Sequence, residues 1–180
     1  MVYVFLAKGF EEVEALTPVD FLRRAGIEVT TVGVGGEYVE GAHGITVKAD
    51  VSEAAVSCEN AEIDMVVLPG GMPGTLNLKA SETVNAFIDK AVSEGAYVAA
   101  ICAAPSILGE KGILKGKMAV CYPGFEDKLA GAMVFNAGVI CDGNIITANA
   151  AGAAVDFAAQ LISALKGDDA AEAVLKAVIA

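Results

Sequence analysis

The chain has 180 residues, 55% of them hydrophobic, and a formal net charge of −11 from 12 basic and 23 acidic side chains, which suits one domain spanning 1–180 that buries its own core. The acidity argues against a nucleic-acid binder, whose phosphate contacts need clustered Lys and Arg. No apolar run reaches the roughly 18–20 residues of a membrane span, and the short apolar opening lacks a basic leader, so the expectation is a cytoplasmic protein without membrane contact.

The first run, VYVFL (2–6), is continuously apolar, as in a strand buried on both faces. A helix follows over about 11–25, with Val13, Leu16, Val19, Phe21 and Leu22 in one stripe; Gly26 ends it. Pro18 lies inside, so either the helix restarts there or Pro18 is a first-turn residue. IEVTTVGV is the second strand, which makes a β-α-β opening and a right-handed parallel pair. The glycine-rich GGEYVEGAHGITVKAD reads as an added hairpin, and DMVVLPGG (64–71) as another buried strand. SETVNAFIDKAVSEG is a helix with Ser81 as N-cap and Gly95 as terminator. AYVAAIC is the next strand and APSILGEKG a short helix. KMAVCY, MVF, GVIC and NIITAN read as strands, FEDKLA as a helical turn, and Asp142–Gly143 as a hairpin turn. Two helices close the chain, the second with Asp168 and Asp169 at its positive end.

This alternation predicts an α/β fold: a flavodoxin-like doubly wound sandwich, its central sheet mostly parallel, with helices on both faces and the hairpin added. In such sheets the crevice lies outside the carboxyl ends of the strands, which brings AKGFEEVE, LPGG and ICAAP together. Cys102 stands on the corner between a strand and a helix, where a helix N-terminus favours a thiolate. The alternative is a small buried core cysteine. Glu14, if turned into the crevice, has its pKa raised by burial and can donate a hydrogen bond to sulfur; Glu11 and Glu12 are expected in solvent. The Gly70–Gly71 amides, with that of Ala103, can form an oxyanion-type pocket, although a Pro-Gly-Gly turn is also an ordinary tight turn. His43 is the only histidine; it either lines the site or is incidental. Tyr122 either presents its hydroxyl to the crevice or packs. The other cysteines, Cys58, Cys121 and Cys141, read as structural; with one histidine and no ligand spacing, no metal is expected.

The blocks LAKGFEEVEALTPVDFLRRAGIEVT, VVLPGGMPG and VAAICAAPSIL, in this order and spacing and followed by AVDFAAQLI, resemble the signature blocks of the DJ-1/ThiJ/PfpI superfamily. The resemblance implies a homodimer, a nucleophilic Cys102, a protonated Glu14 bonded to its sulfur, and backbone donors at Gly70, Gly71 and Ala103. It also implies an interface role for Arg24 near the partner's site. It implies cofactor-free glyoxalase or deglycase chemistry on a small reactive carbonyl or glycated adduct. The alternatives are a redox sensor or chaperone-like protein acting through Cys102 sulfinate, or an amidase or protease. The sequence departs from the family pattern at three places: Tyr122 stands where some members carry a catalytic histidine, His43 where relatives carry an arginine, and NAAGAA where they have Gly-Pro-Gly. The first departure removes the obvious general base, which counts against hydrolysis and efficient glyoxalase chemistry and leaves thiolate oxidation intact.

Overall fold

The computed structural model describes residues 1–179. In chain order the elements are β1 (Val2–Leu6), α1 (Glu12–Arg24), β2 (Val29–Gly33), β3 (Tyr38–Glu40), β4 (Thr46–Lys48) and β5 (Val51–Ser52). Next come β6 (Met65–Leu68), α2 (Gly74–Ala80), α3 (Glu82–Glu94), β7 (Tyr97–Ile101) and α4 (Pro105–Glu110). The chain continues through β8 (Met118–Ala119), β9 (Met133–Val134), β10 (Val139–Asp142), β11 (Ile145–Ala148), α5 (Ala154–Lys166) and α6 (Asp168–Val178).

Seven strands form the central sheet in the order β10-β11-β7-β6-β1-β2-β5, parallel throughout except for β10. The period of two in each strand divides the core. Val2, Val4, Leu6, Met65, Val67, Ala99 and Ile101 face α1, α5 and α6, where Phe157, Leu161 and Ile162 cover them. Phe5, Val66, Leu68, Val98 and Ala100 face α2, α3 and α4. There Phe87 meets Tyr3 and Phe5 edge-on, with ring centroids 4.9 and 5.2 Å apart. The flavodoxin-like sandwich expected from the alternation is therefore the observed architecture, and β3 and β4 form the added antiparallel hairpin.

Local signals hold in several places. Ser81 Oγ accepts a hydrogen bond from the Val84 amide at 3.2 Å, and Gly95 ends α3 with φ +73°. Other expectations are corrected. α1 runs unbroken through Pro18, which neither restarts the helix nor sits in its first turn; its missing N–H leaves the Glu14 carbonyl without the usual partner four residues on. GTLNLKA, for which the sequence reading gives no element, forms α2, and Gly74 packs against Gly9 with no room for a Cβ. KMAVCY yields only the two residues of β8, which pair in parallel with β9 outside the main sheet. Beyond them the backbone is recruited elsewhere: the Val120 amide donates to Thr147 Oγ1 at 3.0 Å and the Tyr122 amide to the Cys102 carbonyl at 2.8 Å. Among the described residues, no helix is long and apolar enough to cross a membrane.

Candidate active site

β1, β6 and β7 are successive neighbours in the sheet, so the loops leaving their carboxyl ends lie side by side. The loop after β1 leads into α1, whose third residue is Glu14; that after β6 is Pro69–Gly70–Gly71; Cys102 follows β7. Residues remote in the sequence thereby share one crevice, as the parallel-sheet rule requires.

Cys102 has φ +66°, a conformation shared among the described non-glycine residues only with Ile179. Side chains on L-residues disfavour this region, and the surroundings must hold the backbone there. They do so from both sides. The Cys102 amide donates to the Ala148 carbonyl at 2.9 Å and its carbonyl accepts from Tyr122 at 2.8 Å, while the side chain stays partly accessible.

Glu14 is 1% exposed, on the crevice side of α1. Its Oε2 accepts the Gly70 amide at 2.9 Å, and its carboxyl meets the Cys102 side chain. Gly70 is required by this packing: a Cβ there would stand 2.6 Å from Cys102 Cβ and 2.7 Å from Glu14 Oε2. The three expected backbone donors thus divide their work. The Gly71 and Ala103 amides face the sulfur, whereas the Gly70 amide is taken by Glu14.

Burial pushes Glu14 up to about 7, with Glu11 adding to the rise and the Cys102 and Gly70 hydrogen bonds opposing it. Burial also pushes the Cys102 thiol up to about 12, helped by the charge and hydrogen bond of Glu14 and opposed by the Gly71 and Ala103 amides. The expectation of a thiolate favoured simply by the following helix is therefore corrected. α4 is six residues long and begins three residues after Cys102, and desolvation beside a carboxylate outweighs it. The two groups lie close enough that the proton state of one sets the charge the other meets. With the proton on the carboxyl, the repulsion disappears and the hydrogen bond runs from oxygen to sulfur, which favours the thiolate.

The remaining candidates lie apart from the sulfur. His43, at the tip of the β3–β4 hairpin, places Nδ1 2.9 Å from Glu12 Oε2 and 3.6 Å from Glu11 Oε1. The expectation that Glu12 lies in solvent is corrected: it is 5% exposed, and its Oε1 accepts the His43 amide at 2.9 Å and the Ile45 amide at 3.4 Å. Glu11, Glu12 and His43 are a grouping with metal-ligand chemistry among the described residues, but hydrogen bonds from His43 and Ile45 already engage both Glu12 oxygens. Tyr122 is joined to Cys102 through its backbone; its ring, 47% exposed, packs edge-on against Phe125. Arg24 is ten residues along α1 from Glu14, about 15 Å at the helical rise, and pairs with Asp20 at 2.6 Å. It does not reach the crevice of its own chain. Of the other cysteines, Cys121 is buried and Cys58 partly so, but Cys141, read as structural, is exposed on the edge strand β10.

The DJ-1/PfpI family profile matches residues 1–164. The chain belongs to the DJ-1/PfpI family. Protein dj-1beta of Drosophila melanogaster is 37% identical over 179 residues, covering 98% of this chain and 95% of that protein. A deglycase of Pyrococcus abyssi is 34% identical, covering 92% and 99%. The solved structure of oxidized Toxoplasma gondii DJ-1 superposes with a TM-score of 0.94 at 35% identity, covering 99% of this chain and 97% of that one. Two Arabidopsis thaliana DJ-1 homologues are longer, and the chain spans 39% and 45% of them.

Proposed function

We propose that Cys102 is a nucleophile toward small reactive carbonyls or their glycated adducts, in glyoxalase- or deglycase-type chemistry. The observation that carries this reading is the pairing of the Cys102 sulfur with a buried Glu14 whose carboxyl is pushed up to about 7. A group poised near neutrality can give and take a proton within one turnover. The deglycase name of the Pyrococcus abyssi relative supports the same substrate class.

For an aldehyde such as methylglyoxal, sulfur bonds to the aldehyde carbon and Glu14 delivers its proton to the carbonyl oxygen, forming a hemithioacetal. The carboxylate then removes the proton on that carbon and returns it at the neighbouring carbon, while the hydroxyl proton passes to the neighbouring oxygen through the enediol, leaving a thioester. Water cleaves the thioester to lactate and frees the sulfur. Wild-type protein mixed with methylglyoxal should produce lactate, and Cys102→Ser none; equal lactate from both would overturn the reading.

A second reading has one supporting observation: the Toxoplasma gondii neighbour is described as oxidized. Here a partly accessible sulfur bonded to Glu14 takes up one oxygen from each of two peroxide molecules in turn, each peroxide being reduced to water, and rests as a sulfinate. Intact mass after mild peroxide separates the readings: selective gain at Cys102 supports it, and uniform oxidation of all four cysteines opposes it. An amidase or protease is least supported, since no histidine touches Cys102. The proposed active unit is a homodimer with the Arg24 face of α1 between copies.

A further inference from the structure

The crevice holds a thiol and a carboxyl but no imidazole, and the one histidine of the chain is held by Glu11 and Glu12 at the entry of α1, the helix that carries Glu14. The position is built. Phe10 accepts the Ala42 amide at 2.8 Å, and Gly9 donates to the Glu40 carbonyl at 2.8 Å, which hangs the hairpin tip on the loop entering α1. That same loop closes on the crevice: the Glu11 amide donates to the Gly70 carbonyl at 3.0 Å, and Gly71 abuts Glu11 so closely that a Cβ would collide with its nitrogen. His43, Glu11, Gly71 and Cys102 are therefore linked by successive contacts.

The ring is also oriented. Glu12 is buried and ionised: burial works to raise its pKa, but the hydrogen bonds from the His43 ring and from the amides of Glu12, His43 and Ile45 outweigh it. A carboxylate only accepts hydrogen bonds, so Nδ1 must carry the hydrogen donated to Oε2, and in the neutral ring Nε2 is left as a free acceptor. With 67% of the His43 side chain exposed, Nε2 can exchange protons with water. The charged groups facing the ring are Glu11 and Glu12, both at the entry of α1.

We propose that His43 is the proton relay between the Cys102 crevice and bulk water, and that Glu12 is its positioning residue. This rests on the reading of Cys102 as a nucleophile toward aldehydes. Conversion of methylglyoxal and one water to lactate releases one proton per turnover. Nε2 takes that proton through water and passes it to solvent, while Nδ1 keeps its hydrogen on Glu12; the ring ends each cycle neutral. This is the orientation logic of a carboxylate-held histidine, with the imidazole serving the exit of a proton rather than activation of the nucleophile.

The test compares lactate production from methylglyoxal across pH for wild type, His43→Gln and Glu12→Gln. Glutamine at position 43 keeps a donor for Glu12 but carries no exchangeable ring proton. The expected result is a fall in kcat of about tenfold to a hundredfold in His43→Gln with little change in KM, recovered in part by imidazole added to the buffer. Glu12→Gln should move the ionisation seen in the kcat profile to lower pH, because the charge that holds the imidazolium is gone. Unchanged kcat in His43→Gln, or a loss that imidazole does not repair, overturns the relay and leaves the Cys102 reading standing. Absence of lactate from wild type overturns both.

Discussion

Glu12 and Glu14 are two residues apart in the first turns of one helix, both buried, and their carboxyl groups are driven in opposite directions. The difference lies in what each side of α1 meets. Glu12 turns toward the β3–β4 hairpin, where two amides and a histidine ring point at its oxygens, and it falls below the usual carboxylate value. Glu14 turns toward the crevice, where it receives one amide and a thiol against a larger loss of solvent, and it rises to about 7. Burial alone does not set a carboxyl's charge; the number and kind of donors aimed at it do. The hairpin side stabilises a charged carboxylate, and the crevice side holds a carboxyl near neutrality.

The comparison is broken most severely on the crevice side. Glu14→Gln keeps an oxygen for the Gly70 amide but cannot cycle a proton, so lactate production should fall by about a hundredfold or more in a steady-state assay. Gly70→Ala should cost about 1–3 kcal/mol in denaturant unfolding and abolish selective alkylation of Cys102, since the new methyl cannot share space with Cys102 Cβ and Glu14 Oε2. On the hairpin side, Glu12→Gln exchanges charge-assisted hydrogen bonds for neutral ones and should destabilise by about 1–2 kcal/mol, again read from denaturant unfolding.

The smallest effect lies in the pH dependence of stability, and its sign separates the two acids. Glu14 is raised in the folded state, so its contribution is present below its ordinary value of 4.5 and is lost as pH climbs through about 7. Glu12 is lowered, so its contribution is present above 4.5 and is lost as pH falls through its folded value. Melting temperatures across this range should therefore slope oppositely when each Gln variant is subtracted from wild type. Equal slopes would mean that the two carboxyls share one environment.

Much of the crevice was legible in the sequence. VYVFL, DMVVLPGG and AYVAAIC mark buried parallel strands, and the ends of such strands must adjoin; Glu14, Gly70, Gly71 and Cys102 stand at or just after those ends. The clasp on Glu12 was not legible, because its donors come from a hairpin 31 residues later, and nothing local distinguishes one acid of EEVE from another. A signal was present only in composition: three carboxylates in four residues cannot all share one solvated face. The direction in which Cys102 shifts escaped for a related reason. A helix start is visible in sequence, whereas the extent of desolvation around a sulfur emerges only from three-dimensional packing. α2 was not read from the sequence at all, and the start of its helix is packed against Gly9, far upstream.

The main chain of Cys102 is gripped on one side by the last residue of β11 and on the other by Tyr122. Any group added to the sulfur must therefore be accommodated by side chains and the glycine loop, because the strand-to-helix corner itself has no slack to give. On the proposed chemistry, a group joined to this sulfur would therefore leave the two layers of helices seated.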